Sequence, residues 1–195
     1  MRGRGMTPDF TLSTTDPAPG CPPGTLVTNL QSRMSMNASG SVALWGGTAE
    51  IPNTVWTGPV DDLHPIVRVG SPIAASNCFC IPQSPLGQYR ISDSGSSAVV
   101  TSFNPVGGAV VVVDEVGVEI VGYGGIAVTG LPPTDRIRVL AYGLAPPRLD
   151  ASGHLVFKVV VGPNGAETYN AIVTWDRFYG LQKIVAQRDQ LEVQS

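Results

Sequence analysis

The chain has 195 residues, 43% of them hydrophobic and 14% charged, with a formal net charge of -3, so it can bury a substantial core. That acidic balance argues against a surface built to neutralise phosphates, and the one basic cluster, MRGRGM, lies at the extreme N-terminus, so no nucleic acid contact is expected. The longest apolar run, Ala109 to Val113, is cut off by Asp114 and Glu115, far short of the roughly 20 residues of a membrane span, so no membrane insertion is expected.

In chain order, the first feature is the Pro-rich stretch TDPAPGCPPG from Thr15 to Gly24, which suits an extended strap or hinge rather than a helix or central strand. Residues 1–24 therefore read as an N-terminal arm and hinge, and residues 25–195 as a β domain. Short β-rich runs follow: TLVTNL, SRMSMNA, SVALWG, IVRVG, CFCI, QYRIS, AVVTSF, AVVVVDEV, VEIVGYG, IAVTG, IRVLAYG, HLVFKVVV and NAIVTW. Turn residues separate them in NASG, SDSGSS, NPVGG, DASG and GPNG, where Gly or Asn tolerates positive φ and Asp or Ser closes a turn. The 23 glycines and 17 prolines are spread along the chain in the same way. These runs predict an all-β fold, a compact sandwich or barrel of many short antiparallel strands with little helix. Two stretches carry helical spacing: LPPTDRIRVLAYG, and DRFYGLQKIVAQRDQLEV with Phe178, Leu181, Ile184, Val185 and Leu191.

Residues suited to chemistry are sparse. Cys21, Cys78 and Cys80 cannot all pair within the chain, and neither His64 nor His154 sits at zinc-ligand spacing from them, so free thiols are expected and no metal or other cofactor. Asn37 to Ser39 matches the N-glycosylation sequon. The strongest hydrolase cue is Ser94 in SDSGSS with His64 upstream, but the interval between them is too short for the two halves of a chymotrypsin-type double barrel. The carboxylate runs Val60–Asp62 and Val113–Glu115 put adjacent side chains on opposite faces of a strand, unsuited to an acid and base pair. No catalytic residue is assigned, and the chain is expected not to be an enzyme.

The segment LAYGLAPPRLDASGHLVFKVVVGPNGAETYNAIVTWDRFYGL resembles the C-terminal part of the protruding domain of calicivirus-like capsid proteins. The pieces that carry the resemblance are Asp150, Gly153, Leu155, Phe157, Lys158, Gly165, Trp175, Phe178, Tyr179 and Leu181, with a Leu-Pro at Leu131 and Pro132 ahead of them. The resemblance implies a spike on the virion surface, in a calicivirus or a related small RNA virus, whose partners are a second copy, a capsid shell domain and a host-cell receptor or glycan. It also implies that the family's distal insertion is reduced to about Ser84–Gly108. No motif carries over the family's glycan-binding residues. The alternatives are a phage or bacterial β-sandwich adhesin or carbohydrate-binding module, and a serine hydrolase around Ser94.

Two packing expectations follow from alternation. Leu155, Phe157 and Val159 share one face of a core strand. In the run from Ala109 to Gly125 both faces are apolar, which fits a surface for a two-fold partner or a central strand covered on both sides within one chain, and the resemblance to a spike favours the two-fold partner.

Overall fold

A computed structural model describes residues 12–75, 78–95, 97–104, 107–114, 116–140 and 147–189. These contain strands and turns and no helix, so the all-β expectation holds. The first sheet is formed by β1 (Val27–Met36), β2 (Val42–Thr48), β3 (Thr54–Gly58) and β4 (His64–Arg68), in that order. The second takes β5 (Ile73–Ala75), β6 (Cys78–Ile91), β7 (Ser97–Asn104), β8 (Gly107–Asp114) and β9 (Gly117–Tyr123), again in chain order. In the third, β10 (Arg136–Leu140), β12 (Leu155–Gly162), β13 (Tyr169–Asp176) and β14 (Gly180–Ala186) lie side by side, and the short β11 (Arg148–Leu149) also pairs with β12. Every neighbouring pair of strands is antiparallel.

The sheets stack in three layers with the second in the middle. Val110 and Val112 of β8 and Val121 of β9 join the core of the third sheet, among Ile137, Leu155, Phe157, Val159 and Val173. The alternate residues Ala109, Val111 and Ile120 point the other way and pack with Ala43, Val55 and Val67 of the first sheet. A strand covered on both faces needs apolar side chains at both parities, which is why this run loses its polar alternation. The valine run is thus a central strand, with Val110, Val111 and Val112 at most 1% exposed, and its faces are not available to a second copy. The stretch Ser84–Gly108 completes β6, contains β7 and opens β8, so its described residues belong to the middle layer.

In the third sheet the period-two pattern reads out as expected. Leu155, Phe157, Val159 and Val161 point inward from β12, opposite Trp175, Val173, Ala171 and Tyr169 of β13.

The Pro-rich stretch is a docked strap. Ala18 packs with Val27, Val42, Trp56 and Leu63 on the outer face of the first sheet. Trp56 Nε1 donates to the Pro19 carbonyl (3.0 Å), Arg68 Nη2 to the Gly20 carbonyl (3.0 Å), and backbone bonds join Thr15 and Asp16 to Val27 and Ala18 to Thr25. Gly20 has φ of 62° and a Cβ there would stand 2.6 Å from Pro65 Cδ, so the strap can turn against β4 only with glycine at this point.

Five segments differ from the sequence reading. TLVTNL and SRMSMNA are one strand, β1, with a bulge between Leu30 and Met34, and CFCI and QYRIS are one strand, β6, whose prolines fall at bulges; a bulge absorbs a proline's missing donor without ending the strand. Ile126 to Gly130, expected as a strand, is a connection that bridges to Gln182 through Thr129. Among the described residues neither helical candidate is a helix: the first is a turn followed by β10, and the second contains β14, on which Leu181 is buried and Ile184 is 52% exposed.

A buried polar pair closes the end of the third sheet opposite the β13–β14 turn. Tyr169 Oη donates to Asp135 Oδ2 at 2.5 Å, with Arg188 stacked 4.5 Å over the ring. Burial, and then the hydrogen bond and charge of Asp135, push the Tyr169 phenol up to about 12. An unfolded tyrosine ionises near 10, so this stability is complete below about pH 10 and is lost as pH rises toward about 12. The expected loss is about 3 kcal/mol across that window. Ultraviolet titration should show one late phenolate step that disappears in Tyr169→Phe; a titration unchanged by the substitution would contradict the pairing.

Candidate functional site: the turn-bearing end of the sandwich

The strand registers bring turns from all three layers to one end of the molecule. In the first sheet, Met36 pairs with Val42 and Val42 with Gly58, so the β1–β2 and β3–β4 turns share an end. In the second, Ile91 pairs with Ser97 and Ser97 with Val113, so the β6–β7 and β8–β9 turns share theirs. In the third, Leu155 pairs with Trp175, which aligns the 150–154 turn with the β13–β14 turn.

Hydrogen bonds between the layers show that these are the same end. Asn37 Nδ2 donates to the Ser92 carbonyl and the Ala38 amide to Asp93 Oδ1, both at 2.8 Å. The Ser94 amide donates to the Ala151 carbonyl at 3.1 Å. Arg177, on the β13–β14 turn, reaches Asp114 at the start of the β8–β9 turn through Nε (3.1 Å) and Nη2 (2.7 Å), and its Nη1 lies 3.7 Å from Glu119. Asp114 Oδ1 in turn accepts from the Val116 and Gly117 amides.

On this laced surface the β13–β14 turn presents Phe178 at 92% and Tyr179 at 74% exposure, and the β8–β9 turn presents Val116 at 68%. The backbone beneath the aromatics is fixed locally. Asp176 Oδ1 accepts from the amides of both Phe178 and Tyr179 at 2.8 Å, and Gly180 closes the turn with φ of 68°, a conformation that costs other residues energy. Trp175 and Leu181, on either side of the turn, are buried. The large hydrophobic residues around the turn are therefore split, with Trp175 and Leu181 anchored inside and Phe178 and Tyr179 projecting outside.

Arg177→Ala is expected to cost about 1 kcal/mol, the scale of a partly exposed bidentate pair, and to speed amide exchange at Phe178 and Tyr179. Unchanged exchange would show that the clamp does not order the turn.

The residues considered for hydrolysis lie in different places. His64 opens β4 with Nε2 3.3 Å from Asp62 Oδ1, both side chains well exposed. Ser94 sits in the β6–β7 turn with its hydroxyl 2.8 Å from that of Ser92. The turn beside Ser94 carries a different histidine, His154, whose Nδ1 is 2.8 Å from Asp150 Oδ2. Partial burial opposes the Asp150 charge, but bonds from the His154 ring and from the His154 and Ser152 amides outweigh it and hold the carboxyl below its usual range. That pattern closes a turn and orients His154.

Among the described residues no group of three or more His, Cys, Asp or Glu side chains is placed to hold a metal ion. Cys21 is a free, half-buried thiol 3.6 Å from Arg68 Nη2. The side chains of Cys78 and Cys80, and the MRGRGM cluster, lie outside the described residues. Asn37 occupies the β1–β2 turn, its amide nitrogen bonded to Ser92 and its oxygen accepting from Ser39 and Ser41.

A second surface feature lies on the outer face of the first sheet, in the part that the strap leaves uncovered. Leu30, Met34, Met36, Leu44 and Val60 line a shallow groove of about 1080 Å³, and Met34 and Met36 are 65% and 66% exposed. Alternation accounts for it: Ser35 turns inward, where its hydroxyl accepts from the Ile91 amide, so Met34 and Met36 turn out.

Compared with known proteins, the chain matches no family model, no curated protein and no solved structure.

Proposed function

We propose that the chain is a binding module displayed on a surface, the protruding domain of a calicivirus-like or related small RNA virus capsid, and that the turn-bearing end makes the contact with the host cell. The observation that carries this reading is the pair Phe178 and Tyr179, exposed on a turn that is pinned to the neighbouring layer. Loops on a rigid scaffold are where recognition residues collect, and large aromatics dominate binding energy once desolvated. Many weak tips on one particle would add by avidity.

Pairing with a second copy belongs to the same proposal. With the valine run inside the fold, the exposed methionine face of the first sheet is the apolar surface assigned to it. Sedimentation equilibrium checks this part, and a monomer of 20.4 kDa at all concentrations would sink it. A capsid shell domain encoded upstream in the same gene is the expected neighbour.

The deciding experiment displays the 195-residue chain densely on fluorescent beads and measures attachment to a panel of cells. Phe178→Ser with Tyr179→Ser should lower attachment at least about tenfold, the scale of removing two anchors, with the unfolding midpoint nearly unchanged. Attachment that survives the double substitution would refute this end as the contact surface.

The hydrolase alternative gains one observation, the proximity of the Ser94 turn to the Asp150–His154 pair. Reaction with a fluorophosphonate that is lost in Ser94→Ala would replace the binding reading with an enzymatic one.

A further inference from the structure

We infer that the projecting end makes a shallow contact with the interfacial region of a neutral lipid bilayer. The inference rests on the turn-bearing end being the attachment surface, and it names what that surface touches. Phe178 and Tyr179 project from one turn and Val116 from the next, and Arg177 ties the two turns together through Asp114. Three apolar side chains are therefore held outward on a braced support, so little ordering is needed when they enter another phase.

Their chemistry suits the boundary between headgroups and acyl chains. Phe178 offers an apolar body, whereas Tyr179 combines one with a hydroxyl that can stay among hydrated headgroups. The side chains protrude, so what receives them must be deformable or already hollow, and a bilayer meets the first condition without a matching pocket.

Charge selects the lipid. Arg177, the cation on the aromatic turn, is already engaged by Asp114 and faces Glu119, and Asp176 adds a further carboxylate beneath the aromatics. This end therefore offers no excess of positive charge to an anionic headgroup, and its carboxylates would be repelled by one. The contact is made by the side chains of two turns and needs no spanning segment, so it is compatible with the absence of a long apolar run in the sequence. Single copies bind weakly, and an array binds firmly by avidity.

The test is flotation of chain-coated beads with extruded vesicles of pure phosphatidylcholine. The expected result is co-flotation that changes less than about twofold between 50 and 500 mM salt, since screening acts on charge and not on apolar burial, and that falls at least about tenfold in the Phe178→Ser, Tyr179→Ser double variant. A Lys158→Ser control, on β12 away from this end, should leave it unchanged. Absence of co-flotation, equal flotation of the double variant, or binding confined to anionic vesicles and abolished by salt would each overturn the inference. If vesicles fail but the double variant still abolishes attachment to cells, the attachment surface stands and its partner is a protein or glycan. If cell attachment ignores the substitutions, the functional reading itself fails.

Discussion

Val111→Asp is expected to unfold the chain. Val111 is fully buried in the middle layer, between β7 and β9 and against Ala43, Val55 and Val67 of the first sheet. A carboxylate there would sit among apolar side chains with no exposed surface, and an unpaired buried charge of this kind costs about 4 kcal/mol or more, a large part of the stability of an ordinary domain. The comparison is Val116→Asp, five residues on and 68% exposed, which should change stability by less than about 0.5 kcal/mol. Circular dichroism and urea unfolding decide the matter. A folded Val111→Asp protein that has only lost self-association would mean that the face is an interface between copies and that the three-layer arrangement is wrong.

The second large effect is expected at Phe157. Its ring is 5% exposed and lies against Gly122 of β9, where an added Cβ would stand 2.8 Å from Phe157 Cζ. Phe157 thus joins the third sheet to the middle one at a point where the backbone of β9 has no side chain in the way. Phe157→Ala should destabilise by about 3 to 5 kcal/mol, from lost burial plus the cavity left between the sheets. A loss below about 1 kcal/mol would show that face to be exposed. The contact also predicts a coupling. Gly122→Ala should be harmful in the parent chain, where the ring must move, and less harmful in the Phe157→Ala background, where the methyl enters the vacated space. Additive effects would contradict this packing.

Neighbour-independent signals in the sequence foretold the right structure. The alternation Leu155, Phe157, Val159 marked one face of β12 because a pleated strand turns successive side chains to opposite sides whatever lies beyond them. Turn chemistry was equally local: Gly153 and Gly165 sit at φ of 87° and 72°, in the turns that DASG and GPNG announced. Asp114, which by its place in the sequence is unsuited to an acid and base pair, is half of the clamp with Arg177. Those two residues are 63 positions apart, and no short-range pattern links them.

The sequence by itself determined the class of the fold, the alternating faces of its strands and the position of many of its turns, because each depends on a few consecutive residues. The helical spacing of Phe178, Leu181 and Ile184 misled for the same reason: over so short a run it cannot be told from a strand closed by Gly180, and pairing with β13 decided it. Only the tertiary structure settled that the two-faced valine run is covered within one chain, since a strand buried by its own sheets and one buried by a second copy need the same side chains. It also settled which of the large hydrophobic residues around this turn are anchors and which project, as Trp175 and Leu181 turn inward while Phe178 and Tyr179 occupy the turn between them. The convergence of turns from three sheets on one end is set by strand register and by hydrogen bonds between distant residues such as Asn37 and Ser92, which a linear reading cannot contain.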